Sequence, residues 1–363
     1  MTGADGVVGR VTLQTIADQV GVSRMTVSNA FSRPDQLSPA LRRRILAAAE
    51  DLGYVGPDPA ARALAKGATG AVGILLTDSL SYAFTDEVAI GFLGAIADEL
   101  TPTGLALTLL TSSVRQESTI PARDVAMDGA LIYSCESDSD AIDWLIRRRL
   151  PLVYVDEDPV PGAPSVNVDD RGGARAAAQH LVDLGHRRID IVTTSKTDRH
   201  GPVPDPRAVR GGHVTQQRML GWLDALDAAG ITPRVVEVAH FAPDVDTEAE
   251  AFQLLDAEEP PTAILCFSDV IARGVVQAAM DRGLRVPVDL SVVGFDDSPL
   301  ARRLRPALTT VRQDLQAKGR AAVSLLTAEL AAASGNARAA EATRIQLPTE
   351  LVVRASTAPP PER

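Results

Sequence analysis

Between Thr12 and Asn29 the chain sets Thr12, Ser23, Thr26 and Ser28 around a guanidinium, a thioether and a carboxamide, those of Arg24, Met25 and Asn29. Those types suit the edge of a DNA duplex. A guanidinium can fork onto guanine, a carboxamide can pair with adenine, and a methionine can lie against a thymine methyl. The four hydroxyl residues are better suited to phosphates, which fix register without reading sequence. Other chemistry is poorly supplied. Asp296 and Asp297 are adjacent, yet no histidine or glutamate motif accompanies them, and His186 lies in a Gly-His-Arg-Arg turn of structural type. No G-x-S-x-G, G-x-G-x-x-G, Walker-type or H-E-x-x-H pattern occurs, which argues against an enzyme, a metal site or a bound cofactor.

To meet a groove, the candidate base readers must stand on one short helix. Thr12 can cap a helix whose apolar residues Leu13, Ile16, Ala17 and Val20 recur at the spacing of a buried stripe. Gly21 stops it, Ser23 caps the next, and Val27 and Ala30 face inward. A third helix has Ser38 as cap, Pro39 in first position, Leu41, Ile45, Ala48 and Leu52 inward, and Gly53 as stop. The pattern is a helix-turn-helix, in which the second helix enters the major groove by its N-terminal residues. The plainer alternative is a three-helix bundle with a solvated face.

The stretch Tyr54 to Gly67 reads Y-V-G-P-D-P-A-A-R-A-L-A-K-G, a helix under ten residues long that is marginal without a partner. Were two copies to meet over the minor groove, Leu64 could wedge between base steps, with Arg62 and Lys66 near phosphates. The alternative is a plain interdomain linker.

A net charge of −11 speaks against a nucleic-acid partner until its distribution is read. Residues 1–66 hold eight basic and six acidic residues, whereas the remainder holds 28 and 41, so a phosphate-binding surface must lie at the N-terminus. No apolar run reaches the roughly 18 residues of a membrane span, and the first thirty residues, punctuated by charge, do not resemble a secretory signal. A cytoplasmic protein is expected. Cys135 and Cys266 lie in or just after apolar runs without C-x-x-C spacing and read as buried free thiols.

From Ala71 onward, Val/Ile/Leu-rich runs alternate with helical stretches, as parallel sheets covered by helices require. The strands are too many for one sheet, and Val166 to Arg175 falls midway. The fold class expected is therefore α/β, with an all-α helix-turn-helix head and a core of two doubly wound parallel-sheet subdomains enclosing a ligand cleft. Asn167, Asp156 and Ser268 end strands at that cleft, and Phe84 and Asp86 of the F-T-D run follow the first strand, where they could supply a stacking ring and an acceptor. The Gly- and Pro-rich stretch 197–213 reads either as a basic lid or as a surface loop.

The run V-T-L-Q-T-I-A-D-Q-V-G-V-S-R-M-T-V-S-N-A (11–30), with L-G-Y and A-A-R-A-L-A after it, resembles the lactose-repressor (LacI/GalR) family. So do H-L-V-D-L-G-H-R-R-I (180–189), R-M-L-G-W (218–222) and S-V-V-G-F-D-D (291–297) in the core. The resemblance implies a core like periplasmic sugar-binding proteins and a hinge helix at 59–65 with Leu64 as the minor-groove wedge. It also implies that Arg218 and Asp296 hydrogen-bond the effector. Between Tyr54 and Leu64 the chain carries one residue more than many relatives, as G-P-D-P. An arginine and an aspartate suit a polar ligand with hydroxyl groups or an acid. Their structural alternatives are a surface ion pair for Arg218 and a turn cap for Asp296. The resemblance further implies a repressor that binds a pseudo-palindromic double-stranded operator as a homodimer, with effector binding coupled to DNA binding. A small-molecule-binding protein without DNA function is the alternative. Domains are expected at 1–56 (head), 57–68 (hinge) and 69–356 (core), with a disordered tail at 357–363; the A-S-T-A-P-P-P-E-R end cannot form the leucine heptad that makes tetramers in the family.

Overall fold

A computed structural model describes residues 11–56, 58–76, 80–111, 120–134, 139–195, 200–209, 211–239, 243–335 and 342–362. Cys135 lies outside them. The chain divides into two units, residues 1–69 and 70–363.

In the first unit, α1 (Leu13–Val20), α2 (Arg24–Ser32), α3 (Pro39–Asp51) and α4 (Pro59–Lys66) follow one another. Thr12, Ser23 and Ser38 each cap their helix through the side-chain oxygen, so three otherwise orphaned amides find acceptors. Gly21, at φ 77°, makes the left-handed turn between α1 and α2 that a side chain would strain. Ile16, Ala17, Val27, Ala30, Ile45, Ala48 and Ala49 close a small core, with Phe31 edge-on to Tyr54 at 5.7 Å.

The second unit runs in chain order from β1 (Ala71–Leu76) through α5 (Leu80–Ala83), α6 (Glu87–Leu100), β2 (Ala106–Thr111), α7 (Pro121–Asp124) and β3 (Gly129–Tyr133). It continues through α8 (Asp140–Arg147), β4 (Leu152–Val155), β5 (Ser165–Val168), α9 (Asp170–Asp183), β6 (Ile189–Ser195), β7 (Gly201–Pro202), α10 (His213–Ala228) and β8 (Val235–Ala239). It ends with α11 (Pro243–Leu255), β9 (Ala263–Cys266), α12 (Asp269–Asp281), β10 (Ser291–Asp296), α13 (Pro299–Arg303), β11 (Thr309–Gln313), α14 (Leu315–Ala333), β12 (Arg344–Leu347) and β13 (Thr349–Val352).

These strands form two sheets, ordered β12-β5-β4-β3-β1-β2 and β13-β11-β10-β9-β6-β8-β7. Only β7 and β13 run antiparallel to their neighbours. Phe92, Ile74, Leu131 and Val153 fill the core of the first sheet, while Trp222, Phe295, Ile191 and Leu265 fill that of the second under α9 and α10. Burying each such side chain contributes about 1.5–3 kcal/mol. Gly221 lets α9 and α10 close up, because a Cβ there would stand 2.2 Å from the Arg171 carbonyl oxygen.

The chain passes between the sheets after β5, after β11 and after β12. Asp169 holds two of these passages together. It caps α9 through Gly172, its amide donates to the Leu347 carbonyl, and its own carbonyl accepts from Thr349 Oγ1. The ends of the strands thus face each other across a hinge, which is where an open α/β sheet places its ligand.

Two expectations need correction. The tail is not free from residue 357: His180 Nε2 lies 3.0 Å from Thr357 Oγ1, and the Ala358 carbonyl accepts from His186 Nε2 and Ser291 Oγ. Three prolines rule out a helix but not docking, since the polar groups of 357–358 find fixed partners. Nor is 197–213 one long loop. Gly201 and Pro202 form β7 against β8, Val209 is buried, and Arg207 pairs with Asp227, while 196–199 and 210 lie outside the described residues.

Candidate DNA interface and effector site

In the head, the first turn of α2 is held by Ser23 Oγ, which accepts from the Thr26 amide at 3.0 Å and lies 2.8 Å from Thr26 Oγ1. Thr12 makes a reciprocal capping box with Thr15. Thr12 and Ser23 therefore fix helix ends while remaining exposed. Arg24 and Met25 are also exposed, Met25 by 70%, whereas Thr26, Ser28 and Asn29 are half-buried. Asn29 Nδ2 donates to Gln36 Oε1 at 3.2 Å, so Gln36 orients the carboxamide, a partner that spacing within α2 could not disclose.

In α4, Asp58 accepts from the Ala60 and Ala61 amides, Pro59 takes the first position and Gly67 ends the helix at φ 67°. Leu64 is 86% exposed, with Arg62 and Lys66 exposed beside it.

In the core, Asp296 ends β10 at φ 111° and Asp156 follows β4 at φ 57°. Left-handed backbone at a strand end is costly for a non-glycine residue, so fixed partners must hold it. They are present. Arg218 of α10, 4% exposed, donates Nε to Asp170 Oδ1 at 2.8 Å, Nη1 to the Phe267 carbonyl at 2.6 Å and Nη2 to Asp296 Oδ1 at 3.2 Å. Its guanidinium lies between the Phe267 and Phe295 rings, 4.6 and 3.5 Å from their centroids. Gln313 Nε2 donates to Asp296 Oδ1 at 2.8 Å, and Lys318 Nζ donates to Gln313 Oε1 and Asp156 Oδ2, both at 2.6 Å. One chain of charge-assisted bonds thus runs from Asp156 of the first subdomain through Lys318, Gln313, Asp296 and Arg218 to Asp170 of the second.

Burial pushes the Asp296 carboxyl up to about 6, the Arg218 guanidinium opposing the shift and Asp86 adding to it. Burial and the Asp296 charge push Asp269 further, to about 8. Asp297 behaves oppositely. Burial raises it, but hydrogen bonds from Arg354 and Arg312 outweigh that and leave it below the usual carboxylate value. The adjacent pair divides its labour: Asp296 joins the cleft network, and Asp297 binds arginines 302, 312 and 354 as a structural anchor.

The other candidates divide similarly. Asn167 braces the chain after β4, its amide meeting the Glu157 backbone on both sides, and lies 3.4 Å from His213 Nε2. Ser268 is the N-cap of α12, its Oγ accepting from the Ile271 amide at 3.2 Å. Asp86 caps α6 through Ala89 and is felt electrostatically by Asp296, whereas Phe84 is largely exposed. Asp170, Gln313 and Lys318 escaped sequence reasoning. Asp170 follows a capping aspartate and looks like a second cap, and Lys318 in Q-A-K-G-R looks like any solvated helix lysine.

Residues 12–56 match the description of bacterial regulatory proteins of the lacI family, and residues 178–357 that of a periplasmic binding protein-like domain. An HTH-type transcriptional regulator of Mycolicibacterium smegmatis is 37% identical over 87% of this chain and 90% of its own. The chain belongs to the LacI family. This LacI-family protein is accordingly a transcriptional regulator with a helix-turn-helix DNA-binding domain and an effector-binding domain, not an enzyme. Its fold matches the lac repressor dimer bound to operator and an anti-inducer, at TM-score 0.76 and 26% identity over 96% of this chain and 99% of that one. It also matches a transcriptional regulator CelR–cellobiose complex, at TM-score 0.67 and 27% identity over 96% and 100%. Among the described residues of the LacI-family chain, no helix is long and apolar enough to cross a membrane, and no acidic, histidine or cysteine cluster could hold a metal ion.

Proposed function

We propose that this regulator is a cytoplasmic repressor whose homodimer grips a pseudo-palindromic double-stranded operator and responds to a small polar metabolite such as a sugar or nucleoside. The head (1–56) reads bases through Arg24, Met25 and Asn29, and holds phosphates through Thr12, Ser23, Thr26 and Ser28. The hinge (57–68) orders over the minor groove with Leu64 as wedge and Arg62 beside the backbone. The core from residue 69 binds the effector through Arg218 and Asp296, with Asp156 and Asn167 at the facing strand ends and Asp86 and Phe84 at the rim.

The observation that carries this reading is the buried bond chain from Asp156 to Asp170. Because it crosses the hinge, a ligand that joins it has different contacts in an open and a closed core, which is what coupling to DNA requires. The test is selection of DNA sequences by the full chain, followed by binding isotherms with and without metabolites. A two-fold-symmetric consensus whose affinity shifts with a metabolite supports the reading; binding indifferent to sequence defeats it.

A further inference from the structure

A carboxamide has the same outline either way round, because its oxygen and nitrogen are alike in size and its last torsion is broad and two-fold. A half-turn exchanges acceptor for donors. Asn29 can therefore read a base selectively only if something decides which end faces the groove. The two ends suit different bases. An oxygen beside an N–H matches the N6 donor and N7 acceptor of adenine, whereas the two hydrogens of the amide match the N7 and O6 acceptors of guanine.

Asn29 lies near the end of α2, its carbonyl accepting from the Arg33 amide at 2.8 Å. The chain then makes one tight helical turn, Pro34–Gln36, which starts on a proline of fixed φ. Phe31 before the turn and Leu37 after it pack against the core of the head and anchor it on both sides. The turn returns Gln36 to the side of α2, seven residues on from Asn29, where Asn29 Nδ2 donates to Gln36 Oε1 at 3.2 Å. One hydrogen of Nδ2 is thereby taken. The second hydrogen, Asn29 Oδ1 and Gln36 Nε2 have no partner among the described residues. Asn29 is half-buried and Gln36 exposed, so Gln36 stands between the base reader and whatever lies outside it. Beside a duplex that is the phosphate backbone, which accepts and never donates. Gln36 must then turn its amide outward and its carbonyl inward.

Building on the base-reader reading above, we propose that Gln36 is a positioning residue that fixes the flip of Asn29, so that this point of α2 reads adenine and rejects guanine. Gln36 Nε2 faces the phosphates, Gln36 Oε1 holds Asn29 Nδ2, and Asn29 Oδ1 with the remaining N–H forms the edge that adenine fits. Selectivity at one operator step then depends on a residue outside α2 that itself touches no base.

The experiment selects an operator with the full chain and locates the step read by Asn29 as the one whose preference vanishes in Asn29→Ala. Single-base variants of that step then compete for each protein in fluorescence anisotropy. The parent should prefer adenine over guanine there by roughly tenfold or more. Gln36→Ala should bring that ratio within about threefold and leave the melting temperature unchanged, since the side chain is exposed. Gln36→Lys adds a cation but no acceptor, so it should bind all DNA more tightly and still lose the ratio. Gln36→Glu keeps the acceptor, so it should bind all DNA more weakly and retain the ratio. A merely structural role would weaken every operator alike. A base other than adenine preferred by the parent, a ratio kept within about twofold in Gln36→Ala or Gln36→Lys, or equal loss in Gln36→Glu and Gln36→Ala would each overturn the proposal. If Asn29→Ala altered no step, the base-reader role of Asn29 would fall and this inference with it. If only the Gln36 variants disagreed, this inference would fall alone.

Discussion

Lys318 Nζ lies 2.6 Å from Asp156 Oδ2, and both side chains are almost wholly out of water, Lys318 at 1% exposure. An ammonium in that position is tolerated only because Asp156 and Gln313 together replace its hydration. It also ties the end of a strand in one sheet to the end of a strand in the other, so it is both a structural pin and part of the hinge.

Removing one member of such a pair leaves the other buried and uncompensated. Lys318→Met should therefore cost about 3–5 kcal/mol of stability, whereas Lys318→Met combined with Asp156→Leu should recover most of it. Denaturant titration of the single and double variants measures this. A double variant as unstable as the sum of the two singles would show that the pair is not coupled.

Asp269 predicts a pH dependence. Burial and the Asp296 charge hold its folded carboxyl at about 8, against an ordinary 3.8, while Thr310 and Ser298 hydrogen-bond to it. The folded state keeps a proton that the unfolded state has lost, so stability falls as pH rises and levels off above the folded value. Between pH 6.5 and 8 the loss should be about 2 kcal/mol. Most of that window lies above His180 and His186, whose burial-lowered values act at about 6.5 and below, and below Cys266, whose burial-raised thiol acts above it. Asp269→Asn mimics the protonated acid and should flatten the profile in thermal melts; an unchanged slope assigns the effect elsewhere.

Arg24 is the cleaner probe of base readout in α2. Ser23→Ala would remove the helix cap and cost about 1 kcal/mol before DNA is considered. Arg24 is exposed and can be truncated with little loss of folding. Arg24→Ala should relax base choice at one operator position by roughly 1–3 kcal/mol while changing non-specific affinity little. Competition against single-base operator variants reads this directly.

The head was almost fully legible in the sequence, because caps, glycine stops and the apolar stripe are local signals that act within a few residues. The central strands were legible for a related reason: runs such as Ala71–Leu76 and Ser291–Asp296 are buried on both faces and read as unbroken apolar segments. β11, β12 and β13 were not, since T-T-V-R-Q, R-I-Q-L and T-E-L-V mix polar residues into short, partly edge-lying strands. The effector site was half legible. Arg218 and Asp296 stood out through motif position, but Lys318, Gln313 and Asp170 gain their meaning from partners on other elements: Asp156 at a separation of 162, Asp296 at 17 and Arg218 at 48. No pattern along the chain encodes that meeting.

Arg218 itself calls for a conservative test. Its three bonds hold Asp170, Asp296 and the Phe267 carbonyl, so Arg218→Ala would strand two buried carboxylates and confound ligand loss with unfolding. Arg218→Lys keeps the charge but loses the planar fork and its stacking between Phe267 and Phe295. The expected outcome is a folded protein whose ligand affinity falls by roughly tenfold or more. A lysine variant that binds ligand as well as the parent would place the guanidinium outside the ligand's contacts.

Leu64 offers the sharpest separation of folding from DNA distortion. At 86% exposure it has almost no packing to lose, and alanine favours a helix at least as well, so Leu64→Ala should leave the melting temperature unchanged. If the side chain wedges between base steps, the variant should bend operator DNA less and lose operator affinity, while binding to random DNA, governed by phosphate contacts, changes little. Asp58→Ala is the contrasting case: it removes the cap of α4 and should weaken hinge ordering by about 1 kcal/mol with the wedge still present. Bend angles measured by fluorescence energy transfer across a labelled operator distinguish the two. An unaltered bend in the Leu64→Ala complex would mean that α4 contacts DNA without opening a base step.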